Sequence, residues 1–151
     1  MNADADAFEP AEIAHGALRG VIAAMAMTGM RVMTVNLGLV EETPPRAILR
    51  QRGIYRLVPR RKRRGATEIF HWTYGAGGGA AFAALPEGVR HQPWAGPVYG
   101  LVVWLGFELC LAPVLGLSQA KRPRPVDRLA LALDHLLYGF VLSETRRRPQ
   151  G

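Results

Sequence analysis

From Ile69 to Pro86 no Asp, Glu, Lys or Arg occurs in 18 residues, and from His91 to Ala120 only Glu108 interrupts a run of 30. A hydrocarbon core about 30 Å thick takes roughly 20 apolar residues of helix to cross. Both runs therefore read as membrane-spanning helices. The average composition hides this: with 49% hydrophobic and 21% charged residues among 151, and a mean hydropathy of +0.05, the chain resembles one ordinary soluble domain. The charge is segregated, however. Of 19 Lys and Arg residues, nine lie between Arg46 and Arg64 and four more between Lys121 and Arg128, which leaves the rest of the chain far more apolar than the mean.

Four helices are predicted: about Ala11–Val40, Ala66–Leu85, Ala95–Leu117 and Val126–Glu144. The first contains Arg19 and Arg31, the second stops at the turn signal PEG, and the third carries Pro113 near its end. The expected fold is an all-α integral membrane protein, a four-helix transmembrane bundle. An acidic tail, 1–10, precedes a single membrane domain, 11–144, with a basic loop at 41–65; a basic tail, 145–151, follows. A short surface helix is expected around Arg46–Tyr55, while Pro59 and the cluster RRKRR at 60–64 argue against a regular element filling the loop. The N-terminal stretch lacks the basic region of a secretory signal. Cys110 is alone in an apolar run, so neither an intramolecular disulfide nor a Cys-based zinc site is expected.

Basic residues flanking spans are retained in the cytoplasm. The first and third loops carry 13 of them, against four in the second loop and the C-terminal tail. This predicts a multi-pass protein of the bacterial inner membrane with both termini outside. Arg146, Arg147 and Arg148 count against it; were the last segment to lie along the surface, the tail would be cytoplasmic.

Small residues recur at every fourth position. Gly16, Gly20, Ala24 and Thr28 mark the first helix and His71, Gly75, Gly79 and Ala83 the second. The third has Gly96, Gly100, Trp104, Glu108, Ala112 and Gly116, and the fourth Leu131, His135, Gly139 and Ser143. Such rows share a helix face, and small residues on it let membrane helices approach closely. The motif HWTYG at 71–75 returns 64 positions later as HLLYG at 135–139. Two repeated helical hairpins, related by an axis along the membrane normal, would place both copies at one depth.

The segments HWTYGAGGGAAFA, FELCLAPVLGLS (107–118) and DHLLYGFVLSETRRR together resemble the YagU-like family of small bacterial inner-membrane proteins over residues 68–148. That resemblance implies an α-helical inner-membrane protein with no established biochemical activity.

Ionisable residues inside a membrane are functional candidates by default. The rows direct His71, Tyr74, Glu108, Asp134, His135, Tyr138 and Arg31 toward a shared interior. A buried carboxylate is either protonated or partnered, and Arg31 is the candidate partner of Glu108; a proton or cation site at Glu108 is the alternative. Asp134 is a candidate to orient the imidazole of His71. The two histidines read as structural hydrogen-bonding groups, or as a proton relay or metal or haem ligands. No further His or Cys completes a ligand shell, so no metal or cofactor is expected.

Arg56, Arg60, Arg61, Lys62, Arg63 and Arg64 form a topology signal that also rests on anionic lipid headgroups, at about 1 kcal/mol per basic residue. Nucleic acid is the less favoured partner, since Tyr55 is the only aromatic close by and no base-reading motif occurs. Catalysis has no support in a GxSxG elbow or a phosphate loop ending in GK[ST]. The expected function is that of a structural or accessory subunit, as a homo-oligomer or within a larger membrane complex. The alternatives are a small transporter or proton-linked stress protein, and a basic peripheral protein that binds nucleic acid.

Overall fold

The computed structural model describes residues 9–39, 44–51, 53–116 and 124–144. Every regular element among them is helical. The acidic tail up to residue 8, the third loop between 117 and 123, and the basic tail with its three arginines lie outside the described residues.

Helix α1 spans Pro10–Asn36, α2 Pro44–Gln51, α3 Arg63–Ala83 and α4 Glu87–Arg90. Helix α5 runs Ala95–Val114 and α6 Pro125–Glu144. Helix α2 answers the expected surface helix. The basic cluster departs from expectation: Arg60–Lys62 forms a 3-10 turn that leads directly into α3, whose first turn begins at Arg63 instead of Ala66. Helix α1 also ends before Val40. Gly38 adopts φ 70°, and the Leu39 N–H bonds back to the Thr34 carbonyl at 2.9 Å, a left-handed closure that satisfies the last carbonyls and stops the helix. Gly116, at φ 64°, ends α5 in the same manner.

Helices α1 and α5 are long and apolar enough to cross a membrane. Helices α3 and α6, at 21 and 20 residues, match that length but are more polar.

The small-residue rows determine how these helices meet. On α3 the buried positions Thr67, His71, Gly75, Gly79 and Ala83 recur every fourth residue and face Gly16, Gly20 and Ala24 of α1. A Cβ placed on Gly75 would sit 2.5 Å from the Ala24 Cβ and 2.8 Å from the Gly20 carbonyl oxygen. The second hairpin repeats the arrangement: a Cβ on Gly139 would sit 2.6 Å from the Gly96 carbonyl carbon, and one on Gly100 would sit 3.1 Å from the Gly139 nitrogen. Helix α6 also packs on α1, joining the two hairpins. Ala23, Ala24, Met27, Phe82, Tyr138 and Leu142 form the core between them. Large apolar side chains such as Leu18, Met33, Ile69, Leu109, Val114 and Leu129 face outward, each more than 60% exposed except Leu18 at 60%.

The row read in the sequence meets α5 through His135, Gly139 and Ser143. Helix α6 buries a second face besides, Ala130, Asp134, Tyr138 and Leu142, while Leu131 and His135 are only half-buried.

Gly75→Ala and Gly139→Ala are expected to destabilise the purified protein by about 1–3 kcal/mol, because the new methyl meets backbone that cannot move aside. Gly77→Ala, whose Cβ would meet nothing within 4 Å, is expected to be neutral or slightly stabilising. Thermal unfolding in detergent checks all three, and equal melting temperatures would refute the seam.

Candidate functional site

Within each motif copy the glycine packs on its hairpin partner, and the histidine and tyrosine, four and one residues earlier, flank it. The two copies meet directly. The Tyr138 hydroxyl donates to the Gly75 carbonyl at 2.7 Å, so the tyrosine of the second copy is bonded to the glycine of the first. Tyr99 of α5 donates to the Gly78 carbonyl one turn along, also at 2.7 Å. His71, Tyr74, His135 and Tyr138 together line a void of about 20 Å³, room for one water molecule. His135 Nδ1 lies 2.8 Å from the Leu131 carbonyl of its own helix; that oxygen can only accept, so Nδ1 carries the proton.

A larger cavity of about 210 Å³ opens beside this void, with His71, Asp134, His135 and Arg31 among walls formed by Met27, Phe107 and other apolar side chains. Asp134 and His71 are buried, and Asp134 Oδ1 and His71 Nε2 have no hydrogen-bond partner. Leaving a buried polar atom unpaired costs about 1–3 kcal/mol; Trp104 Nε1 is unpaired as well, but only Asp134 and His71 share a cavity. Asp134 does not hold the His71 imidazole through either of those atoms. Tyr74 lines both spaces while remaining 43% exposed.

Glu108 does not join this cluster, and it does not pair with Arg31. Arg31 Nη2 donates to Glu68 Oε2 at 2.6 Å, with the Thr28 hydroxyl donating to the same oxygen at 3.0 Å. Glu108 instead accepts from Arg128 Nε at 2.8 Å, at the edge of the α5–α6 hairpin. Glu108 lies on the same side of α5 as Gly96 and Gly100, which pack on α6, and so meets Arg128 of that helix while Arg31 on α1 is taken by Glu68. A π-helical turn, Phe107–Leu111, begins beside it, just before Pro113. Glu68, overlooked in the sequence, sits three residues before His71 on the face that α3 turns toward α1.

At the opposite end of the first hairpin, Arg90 is buried and donates to the Ala83 carbonyl at 2.9 Å and to Glu12 Oε2 at 2.9 Å. It thereby ties the end of α3 to the start of α1.

The basic loop folds over the other end as a concave surface enclosing about 870 Å³. Arg31 of α1, Arg46 and Arg50 of α2, Arg56 and Arg60 of the turns, and Arg63 and Arg64 of α3 line it, with Glu68 as the one carboxylate. Arg61 and Lys62 belong to the same run but do not line the cavity. Arg63 is held by the Tyr55 and Val58 carbonyls, at 2.8 and 3.2 Å, and lies 5.4 Å from the centre of the Tyr55 ring.

No family model, curated protein or solved structure matches the chain. Among the described residues, no three His, Cys, Asp or Glu side chains converge to hold a metal ion.

Removing one partner of a buried pair leaves an uncompensated charge, so Arg31→Met and Glu68→Gln are each expected to cost toward the lower end of roughly 3–5 kcal/mol. The double variant Arg31→Met/Glu68→Leu is expected to recover most of that loss. Glu108→Gln, opposite the half-exposed Arg128, is expected to cost less than about 1 kcal/mol. A double-mutant cycle on unfolding in detergent measures the coupling; a larger cost for Glu108→Gln than for Glu68→Gln would contradict the pairing.

Proposed function

We propose that the protein is a small four-span membrane protein of the bacterial inner membrane, akin to the YagU-like family, acting as a structural or accessory subunit of a membrane assembly. The observation that carries this reading is the inversion of side-chain size across the bundle. Glycine and alanine line the seams, while Leu, Met, Val and Ile cover the outside. An apolar exterior is stable only when covered by lipid or by a partner, and close backbone contact is how helices associate where water is absent. Helices α3 and α6 are long enough to cross at 1.5 Å per residue, and they bond inward through Glu68 and Tyr138, which supports four spans although two are less apolar. The arginine-lined end then faces the cytoplasm and anionic headgroups.

A second reading, proton-linked transport, is favoured by the unpaired Asp134 Oδ1 and His71 Nε2 at one cavity. On this reading Asp134 takes the place expected for Glu108.

Two measurements test these readings. On a Cys110→Ser background in intact cells, a cysteine at Glu87 or Gln150 is expected to be labelled from outside and one at Gly53 protected. Protection of Gln150 would remove the fourth span. In proteoliposomes, Asp134→Asn is expected to leave assembly and proton leak unchanged for an accessory subunit; loss of a proton flux with assembly intact would establish transport in its place.

A further inference from the structure

We infer that the arginine-lined cavity is a binding site for a phosphate group bearing two negative charges, a phosphomonoester or a pyrophosphate. This rests on the proposed reading of the basic end as a surface for anionic phosphate chemistry, and it narrows that reading from a charged face to a built site. Seven arginines and one carboxylate line a single concave surface. The carboxylate, Glu68, is already engaged by Arg31. Arg46, Arg56, Arg60 and Arg64 are exposed, and their side chains have no hydrogen bond or ion pair among the described residues. Four guanidinium groups brought to one cavity repel one another, and a singly charged ligand leaves most of that repulsion uncompensated. The planar guanidinium fork matches two phosphate oxygens at once.

The walls are preorganised for such a ligand. Arg63 is fixed by two backbone carbonyls and stacked near Tyr55, and the Tyr55 hydroxyl is bonded to Thr67 at 2.6 Å. Tyr55 is the one aromatic side chain lining the cavity and already carries Arg63 near its ring, so no series of rings is present to stack successive bases, which argues against a single-stranded nucleic acid. Val32 and Val35 of α1 form an apolar edge of the same cavity, and the volume accommodates a whole headgroup. The doubly charged phosphate can belong to a lipid, such as phosphatidic acid, or to a soluble molecule; the chemistry is shared.

The test compares two double variants that remove equal charge from one loop: Arg56→Gln/Arg60→Gln inside the cavity and Arg61→Gln/Lys62→Gln outside it. Full-length protein in phosphatidylcholine nanodiscs is titrated with inorganic pyrophosphate. In a parallel arm, protein from bilayers containing phosphatidic acid or phosphatidylglycerol is assayed by mass spectrometry for retained lipid. The inside pair is expected to lose about tenfold or more in apparent affinity, since two charge-assisted contacts disappear, while the outside pair stays within about threefold of the parent. Pyrophosphate binding identifies a soluble source; preferential retention of phosphatidic acid without pyrophosphate binding identifies a lipid. Equal losses in both doubles, equal retention of the two lipids with no pyrophosphate affinity, or tight oligonucleotide binding weakened alike by both doubles overturns the site. If melting shows the inside double to be unfolded, Arg46→Gln against Arg61→Gln makes the same comparison. Variants that still fractionate with integral membrane proteins while the site fails leave the accessory role standing.

Discussion

Backbone against backbone is the contact on which the rest of this bundle depends. At Gly20 and Gly75, and again at Gly96 and Gly139, the helices are too close for any side chain between them. Close approach maximises dispersion contacts along the seam; on the proposed membrane reading, these take over the driving force that water exclusion supplies in solution. It also has a geometric effect. Helices drawn together along two seams leave the wider spaces between the hairpins, and there the histidines, Asp134 and both voids are found.

Charge acts differently, by fixing ends and register. The first hairpin is clamped by Arg31 with Glu68 at the basic end and by Arg90 with Glu12 at the other. A buried ion pair contributes little net stability against an apolar replacement, but it penalises any sliding that separates its members. A glycine seam is smooth and tolerates displacement by a whole turn, so this penalty matters here. Glu108 with Arg128 occupies the corresponding place on the second hairpin, with the signs of the two helices exchanged, as a more exposed and weaker pair.

Much of this was legible in the sequence. The fourfold rows identified which residues form each seam, and the HxxYG repeat pointed to two similar hairpins whose motif copies meet. What escaped were features that no single-helix spacing encodes. Glu108 keeps the α6-facing register of Gly96 and Gly100, but only the fold supplies Arg128 opposite it. Glu68 lies just before the uncharged run and carries no spacing signal of its own, yet it is the partner of Arg31. On α6 the row of His135, Gly139 and Ser143 does meet α5, but the second buried face, which carries Asp134 and brings Tyr138 to Gly75, has no small-residue row to announce it. Arg46 and Arg50 were seen as part of a charged loop, and only the fold of α2 brings them to the wall shared with Arg31.

Each seam joins helices that are neighbours along the chain, and this has a consequence for biogenesis. The α1–α3 hairpin contains all the partners of its own seam and both of its ion-pair clamps. It can therefore close as soon as Arg90 has left the ribosome, before α5 is made. The second hairpin likewise contains its own seam partners, Gly96 and Gly100 against Gly139. The Tyr138 bond to the Gly75 carbonyl and the α1–α6 face await the complete chain, whereas Tyr99 of α5 can reach the Gly78 carbonyl before α6 is made. Assembly thus reduces to docking two preformed halves, with the tyrosine of the later repeat recognising the glycine of the earlier one.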